Sequence, residues 1–228
     1  MSDVMRDFTS RNQEVENYFA YVTKLDENSV NIVPISGTNL SGLDNDSWIK
    51  TLKASCFLIM YNLVESTTKN AIQAIFDDLE IHSVEFDMCR KEVRKIVINN
   101  LKKTNSDRII PVFSNLSIDI IVKTFDKNDL FSGNLDAKRI RDVAKEYGFN
   151  NPRADGSQLL PVKTNRNELA HGNKSFDEVG REYGMDQLNA IQRSVKKYLE
   201  ALLNSVDDYI VNRHYLSIVL PLTLVAEL

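Results

Sequence analysis

Cysteine, histidine, long apolar runs and any excess of positive charge are all scarce in this chain. The two cysteines, Cys56 and Cys89, have no CxxC partner, and two thiols cannot staple a chain of 228 residues. They read as small core residues of a protein in a reducing cytoplasm. The three histidines stand far apart, which with so few thiols excludes a zinc site, and no metal or cofactor is expected. A net charge of −4 excludes a protein that holds nucleic acid mainly by its overall field, so any RNA contact must be local. The longest apolar run, "SIVLPLTLVAEL" (Ser217 to Leu228), is too short to cross a bilayer and is broken by Pro221. The start, "MSDVMRDFTSRNQ", lacks the apolar stretch of a secretory signal. No membrane association is expected.

What remains is helical periodicity. Apolar residues make up 43% and charged residues 26%, ordinary values for a folded globular chain of a length that supports one good core. A first helix is predicted over about Asp3 to Leu25, with Val15, Tyr18, Val22 and Leu25 at 3–4 spacing. The loop "SGTNLSGLDND" (Ser36 to Asp46) follows, and Asp46 or Ser47 is placed to cap a second helix over Trp48 to Leu79. Leu52, Cys56, Ile59, Leu63, Ile72, Ile75 and Leu79 mark one face of it, and "CFLIMYNLV" is apolar nearly all round, so this helix belongs at the centre of a bundle. A third is predicted over Val84 to Lys102, with Phe86, Cys89, Val93, Ile96 and Val97 inward. Its other face carries Lys91, Arg94, Lys95, Lys102 and Lys103, either a solvated face or a local basic patch.

"LSIDIIVKTF" (Leu116 to Phe125) has no evident partner strand and reads as a short helix. In "SGNLDAKRIRDVAKEYGF", Asp136 or Asn134 caps a helix striped by Ile140, Val143 and Tyr147 and ended by Gly148. "SFDE" (Ser175 to Glu178) is a capping box. The last long helix, about Asp186 to Arg213, carries Leu188, Ile191, Val195, Tyr198, Leu202, Val206 and Tyr209. The fold class is all-α: a single-domain bundle of up-and-down core helices with additional short ones, over residues 1–216, followed by an apolar tail, 217–228.

One stretch stands apart, "KTNRNELAHGNKSF" (Lys163 to Phe176). Pro161 suits the first turn of its helix and Gly172 the position just past its end. With Val162 set at 0° on an ideal helix, Leu169 lies at about −20°, Arg166 at about 40°, Ala170 at about 80°, Asn167 at about 140° and His171 at about 180°. Val162 and Leu169 therefore mark the buried side and Arg166 its margin. Asn167 and His171 share a polar face, so the amide can orient the imidazole. A fixed cation, an orienting amide and a group that titrates near neutrality suit RNA cleavage by transesterification. Arg166 and His171 point about 140° apart, so one ideal helix does not aim both at one atom; either the helix loosens before Gly172 or two copies meet across a symmetric interface. The plainer alternative is an Arg and a His placed to interact with the helix dipole and the last carbonyls.

"RNELAHG" resembles the Rx4-6H motif of the HEPN superfamily (higher eukaryotes and prokaryotes nucleotide-binding), down to Asn after Arg and Gly after His. "LKASCFLIMYNLVESTTKNAI" and "FSGNLDAKRIRDVAKEYGF" resemble segments of its stand-alone prokaryotic members, and the likeness runs from about Trp48 to Tyr209. The resemblance implies a helical bundle that dimerises with its two motifs face to face. It implies a metal-independent endoribonuclease, used as a toxin or defence effector, with RNA as substrate and a possible antitoxin or other protein partner. Arg166 and His171 would be the catalytic pair and Asn167 their polar support. The family often adds a polar or acidic residue from the early helix, and Asn62 or Glu65 could fill that part; the alternative is a solvated stripe with a Glu65–Lys69 pair. His82 and His214 read as surface residues. The other reading that the family offers is a non-catalytic dimerisation module that binds a nucleotide or a protein partner.

Overall fold

A computed structural model describes residues 1–29, 45–103, 125–127, 130–131 and 133–217. Seven helices stand among these residues: α1 (Ser2–Asp26), α2 (Asn45–Ile81), α3 (Lys91–Lys103), α4 (Ala137–Tyr147), α5 (Leu159–Ala170), α6 (Phe176–Glu182) and α7 (Met185–Val211). The described residues form no strand, only an isolated antiparallel bridge between Cys89 and Leu216. The all-α expectation holds.

The apolar girdle of α2 explains its place. Cys56, Phe57, Met60, Tyr61, Leu63 and Val64 are all buried, which one face of a surface helix could not achieve. α1, α5, α6 and α7 all pack against α2. α1 lays Phe8, Val15, Phe19, Val22 and Leu25 on it and is tied to α7 by the Glu16–Lys196 ion pair at 2.8 Å. Tyr18 lies at the core's edge and donates its hydroxyl to the Leu52 carbonyl at 3.0 Å. α7 buries the predicted 3–4 stripe from Leu188 to Tyr209.

Termini follow the local chemistry. Asp136 caps α4 by accepting from the Arg139 N–H at 2.9 Å, and Gly148 ends it in the left-handed region at φ 86°. Ser175 and Glu178 close the capping box that starts α6.

The third helix differs from expectation. α3 begins at Lys91, because residues 84–90 have other partners. Ser83 turns the chain at φ 48° after α2, and Cys89 pairs with Leu216. The Arg90 N–H goes to the Tyr215 carbonyl at 2.7 Å. Phe86, predicted inward, stands partly in solvent at 37% exposure, while Val93 and Val97 are buried and Ile96 is half-buried as predicted. His82 and His214 are exposed, as expected; His82 sits just past the end of α2 rather than before a helix.

The Arg90 side chain gathers this end of the bundle. It donates to Glu92 at 2.8 Å, to the Gly148 carbonyl at 3.0 Å and to the His214 carbonyl at 3.3 Å. The predicted loop from Ser36 as far as Asp44, the segment "LSIDIIVKTF" before Phe125, the Lys103 side chain and the tail beyond Ser217 lie outside the described residues. Phe125 itself stacks on Phe76 with ring centroids 3.8 Å apart.

Cys56 and Cys89 are fully buried and unpaired, and burial pushes their thiols up to about 12 and about 11. A thiolate is the reactive form, so both are protected twice, by access and by protonation. A thiol-specific chromogenic disulfide is expected to react negligibly with the native chain at mildly alkaline pH and to titrate two thiols once denaturant is added. Fast reaction of either in the native state would contradict this packing.

Candidate active site

α5 is short, and its composition decides what it shows to each side. Leu159, Val162 and Leu169 are buried, and so is Asn165, whose amide donates to the Pro161 carbonyl at 2.9 Å and to the Tyr183 hydroxyl at 3.0 Å. The helix ends at Ala170, with His171 as its C-cap and Gly172 beyond it at φ 70°, where only glycine turns without strain.

Arg166 stands at the margin of the buried face, as its angle predicts. Its guanidinium lies over the Tyr61 ring of α2, 4.6 Å from the centroid. Its Nη1 donates to Asn167 Oδ1 at 3.0 Å. Asn167 donates in turn through Nδ2 to Asn134 Oδ1 at 3.3 Å. Gly133, at φ 76°, passes so close that a Cβ there would stand 3.0 Å from Arg166 Nη1.

The segment carrying Gly133 and Asn134 is itself pinned. The Leu135 N–H donates to the Tyr61 hydroxyl at 3.1 Å. Asp136 accepts from Lys163, one turn before Arg166 on α5. Burial pushes the Asp136 carboxyl up, but the Lys163 ammonium and the Arg139 N–H outweigh it and hold the carboxyl below its ordinary range. Burial, with the Glu65 charge nearby, pushes the Tyr61 hydroxyl up against the opposing pull of the Leu135 N–H and Arg166, so the ring is a neutral phenol.

The imidazole of His171 is exposed and has no hydrogen-bond partner among the described residues; its backbone N–H bonds the Asn167 carbonyl at 3.0 Å. Here the structure departs from the helical projection. Asn167 does not orient His171 through its amide. Both ends of that amide are spent elsewhere, Oδ1 on Arg166 and Nδ2 on Asn134, because a cation and a second amide compete better than an exposed ring.

The two residues of α2 singled out from the sequence divide. Glu65 pairs with Lys69 at 2.8 Å, the i,i+4 alternative, and stays close enough to Tyr61 for its charge to act on that hydroxyl. Asn62 instead lines a cavity of about 260 Å³ between α1 and α2, beside Arg11, Glu14 and Tyr18, and no residue of α5 lines it. The residue of α2 that meets Arg166 is Tyr61, which periodicity hides as one more apolar position in "CFLIMYNLV".

A half-buried guanidinium held over a ring can bind a phosphate, and a solvent-open imidazole five residues on can serve as an acid or base. Among the described residues no group of three or more His, Cys, Asp or Glu is placed to hold a metal ion, and no helix is long and apolar enough to cross a membrane. The chain matches the family described as HEPN_MAE_28990-like HEPN over residues 1–215. No curated protein and no solved structure matches it.

Proposed function

Because the chain belongs to the HEPN_MAE_28990-like HEPN family, we propose that it is a metal-independent endoribonuclease whose site is Arg166, Asn167 and His171. The observation that carries the reading is the contrast within α5: Arg166 is fixed on Tyr61 and Asn167, while His171, at the helix end, faces solvent. RNA supplies its own nucleophile. His171 removes the proton of a 2′-OH, the oxygen attacks the adjacent phosphorus, and charge collects on the phosphorane oxygens, where Arg166 opposes it. The P–O5′ bond breaks and the 5′ oxygen takes up a proton. The products are a 2′,3′-cyclic phosphate and a 5′-OH end, and the scheme asks nothing of a metal.

Arg166 and His171 project about 140° apart on an ideal helix, so the active form is a homodimer in which a second copy supplies the missing group at each site. A cytoplasmic toxin or defence effector, restrained by an antitoxin or other protein partner, fits a ribonuclease that does not bind RNA through its overall charge. The same acidic balance favours one second reading, a non-catalytic dimerisation module that binds a nucleotide or a protein.

The test is cleavage of an end-labelled RNA in EDTA. Wild type is expected to cut and leave cyclic phosphate ends, and His171→Ala to be about 100-fold slower. Strict dependence on a divalent metal, or equal rates for the two proteins, would sink the assignment.

A further inference from the structure

We propose that Tyr61 and the Gly133–Asp136 segment form a cradle that positions Arg166, with Tyr61 the residue of α2 on which its guanidinium is laid. This rests on the reading of Arg166 as the group that meets the scissile phosphate. A free arginine side chain has rotamer entropy to lose on ordering, and a cation that wanders in water stabilises a phosphorane poorly. Arg166 is held from three sides before any ligand arrives. The Tyr61 ring supports one face, Asn167 Oδ1 takes one Nη1 hydrogen, and the Gly133 backbone closes a further side. Of the five N–H donors in the guanidinium, the rest stay available for phosphate oxygens.

The supports are themselves fixed. Tyr61 is 2% exposed and its hydroxyl is anchored by the Leu135 N–H, so the ring cannot swing away from Arg166. Asn134 holds the Asn167 amide in the orientation that presents Oδ1, rather than Nδ2, to the guanidinium. Lys163 ties Asp136 to α5 and keeps the segment beside Arg166. The hydroxyl explains why the position is Tyr rather than Phe: without it a buried N–H would lose its partner, and the ring its anchor.

The experiment pairs an NMR readout with a mutant cycle on the full-length chain. In wild type the Arg166 side-chain Nε–H and δ-CH₂ signals are expected upfield of free arginine, from the ring current of Tyr61. Tyr61→Leu abolishes the shift and Tyr61→Phe keeps most of it. In cleavage, Tyr61→Leu lowers kcat about 10-fold with KM within about twofold, because aim and not binding is lost. In an Arg166→Ala background the same change has no further effect on kcat. Should Tyr61→Leu fail to fold, exposed Asn134→Ala takes its place and is expected to broaden the Arg166 signals and lower kcat. An unshifted Arg166 signal in wild type, or equal kcat losses in both backgrounds, overturns the cradle. A wild type that cuts no RNA overturns the nuclease reading instead, and the NMR arm still decides the cradle.

Discussion

Arg166→Ala is expected to lower the rate of RNA cleavage by about 10³-fold, and Arg166→Lys to restore only roughly a tenth of wild-type activity. On the proposed mechanism, alanine removes the group that meets the developing charge. Lysine keeps the charge and loses the geometry: an ammonium cannot lie flat on Tyr61, donate to Asn167 and still present a planar fork. The fold should hardly notice. One cation–π contact and one part-buried hydrogen bond are lost, about 1 kcal/mol, or roughly 2–4 °C in melting temperature for a chain of this size. Single-turnover rates on a labelled RNA, beside thermal melts, separate the two effects. A lysine variant as active as wild type would show that charge alone suffices.

Gly180→Ala is expected to cost about 3 kcal/mol or more, seen as a fall of roughly 6–12 °C in melting temperature or as failure to fold. α6 presses on α2 through this residue. A Cβ built there would sit 2.0 Å from the Lys50 carbonyl oxygen and 2.5 Å from its carbonyl carbon. Those are backbone atoms of the central helix, so no rotamer change relieves the clash. Gly184 is the control: nothing lies within 4 Å of a Cβ there, and Gly184→Ala should lose no more than about 1 kcal/mol. Similar melting temperatures for the two variants would mean that α6 and α2 do not approach this closely.

Where the determinants were local, the sequence carried them. The Asp136 cap, the Ser175–Glu178 box, the left-handed ends at Gly148 and Gly172, and the single-sided stripe of α7 all came from residues a few positions apart. The angular estimate for Arg166 placed it correctly at the rim of the buried face. The start of α3 was hidden because its competitor, the Tyr215–Leu216 segment, is remote in sequence. The partner of Arg166 was hidden for a related reason. A cation held over a ring from another helix leaves no periodic trace, so Tyr61 reads as ordinary core, and polarity marks only Asn62 and Glu65 on that stretch of α2. Asn134 could have been suspected: having lost the capping role to Asp136, a short amide in "GNLD" needed another partner.

The Arg90 clasp has a consequence for how the chain assembles. Its bonds to Gly148 and His214 close sequence separations of 58 and 124 residues. Contacts of that span wait on loop closure and on the elements at both ends, so they come late in folding. α4 and α7 must each be finished, and the chain just past each must have turned, before one guanidinium can reach the Gly148 and His214 carbonyls together. The clasp is therefore the closing step of folding at this end of the bundle, and it registers that three distant pieces of chain have arrived in the right places.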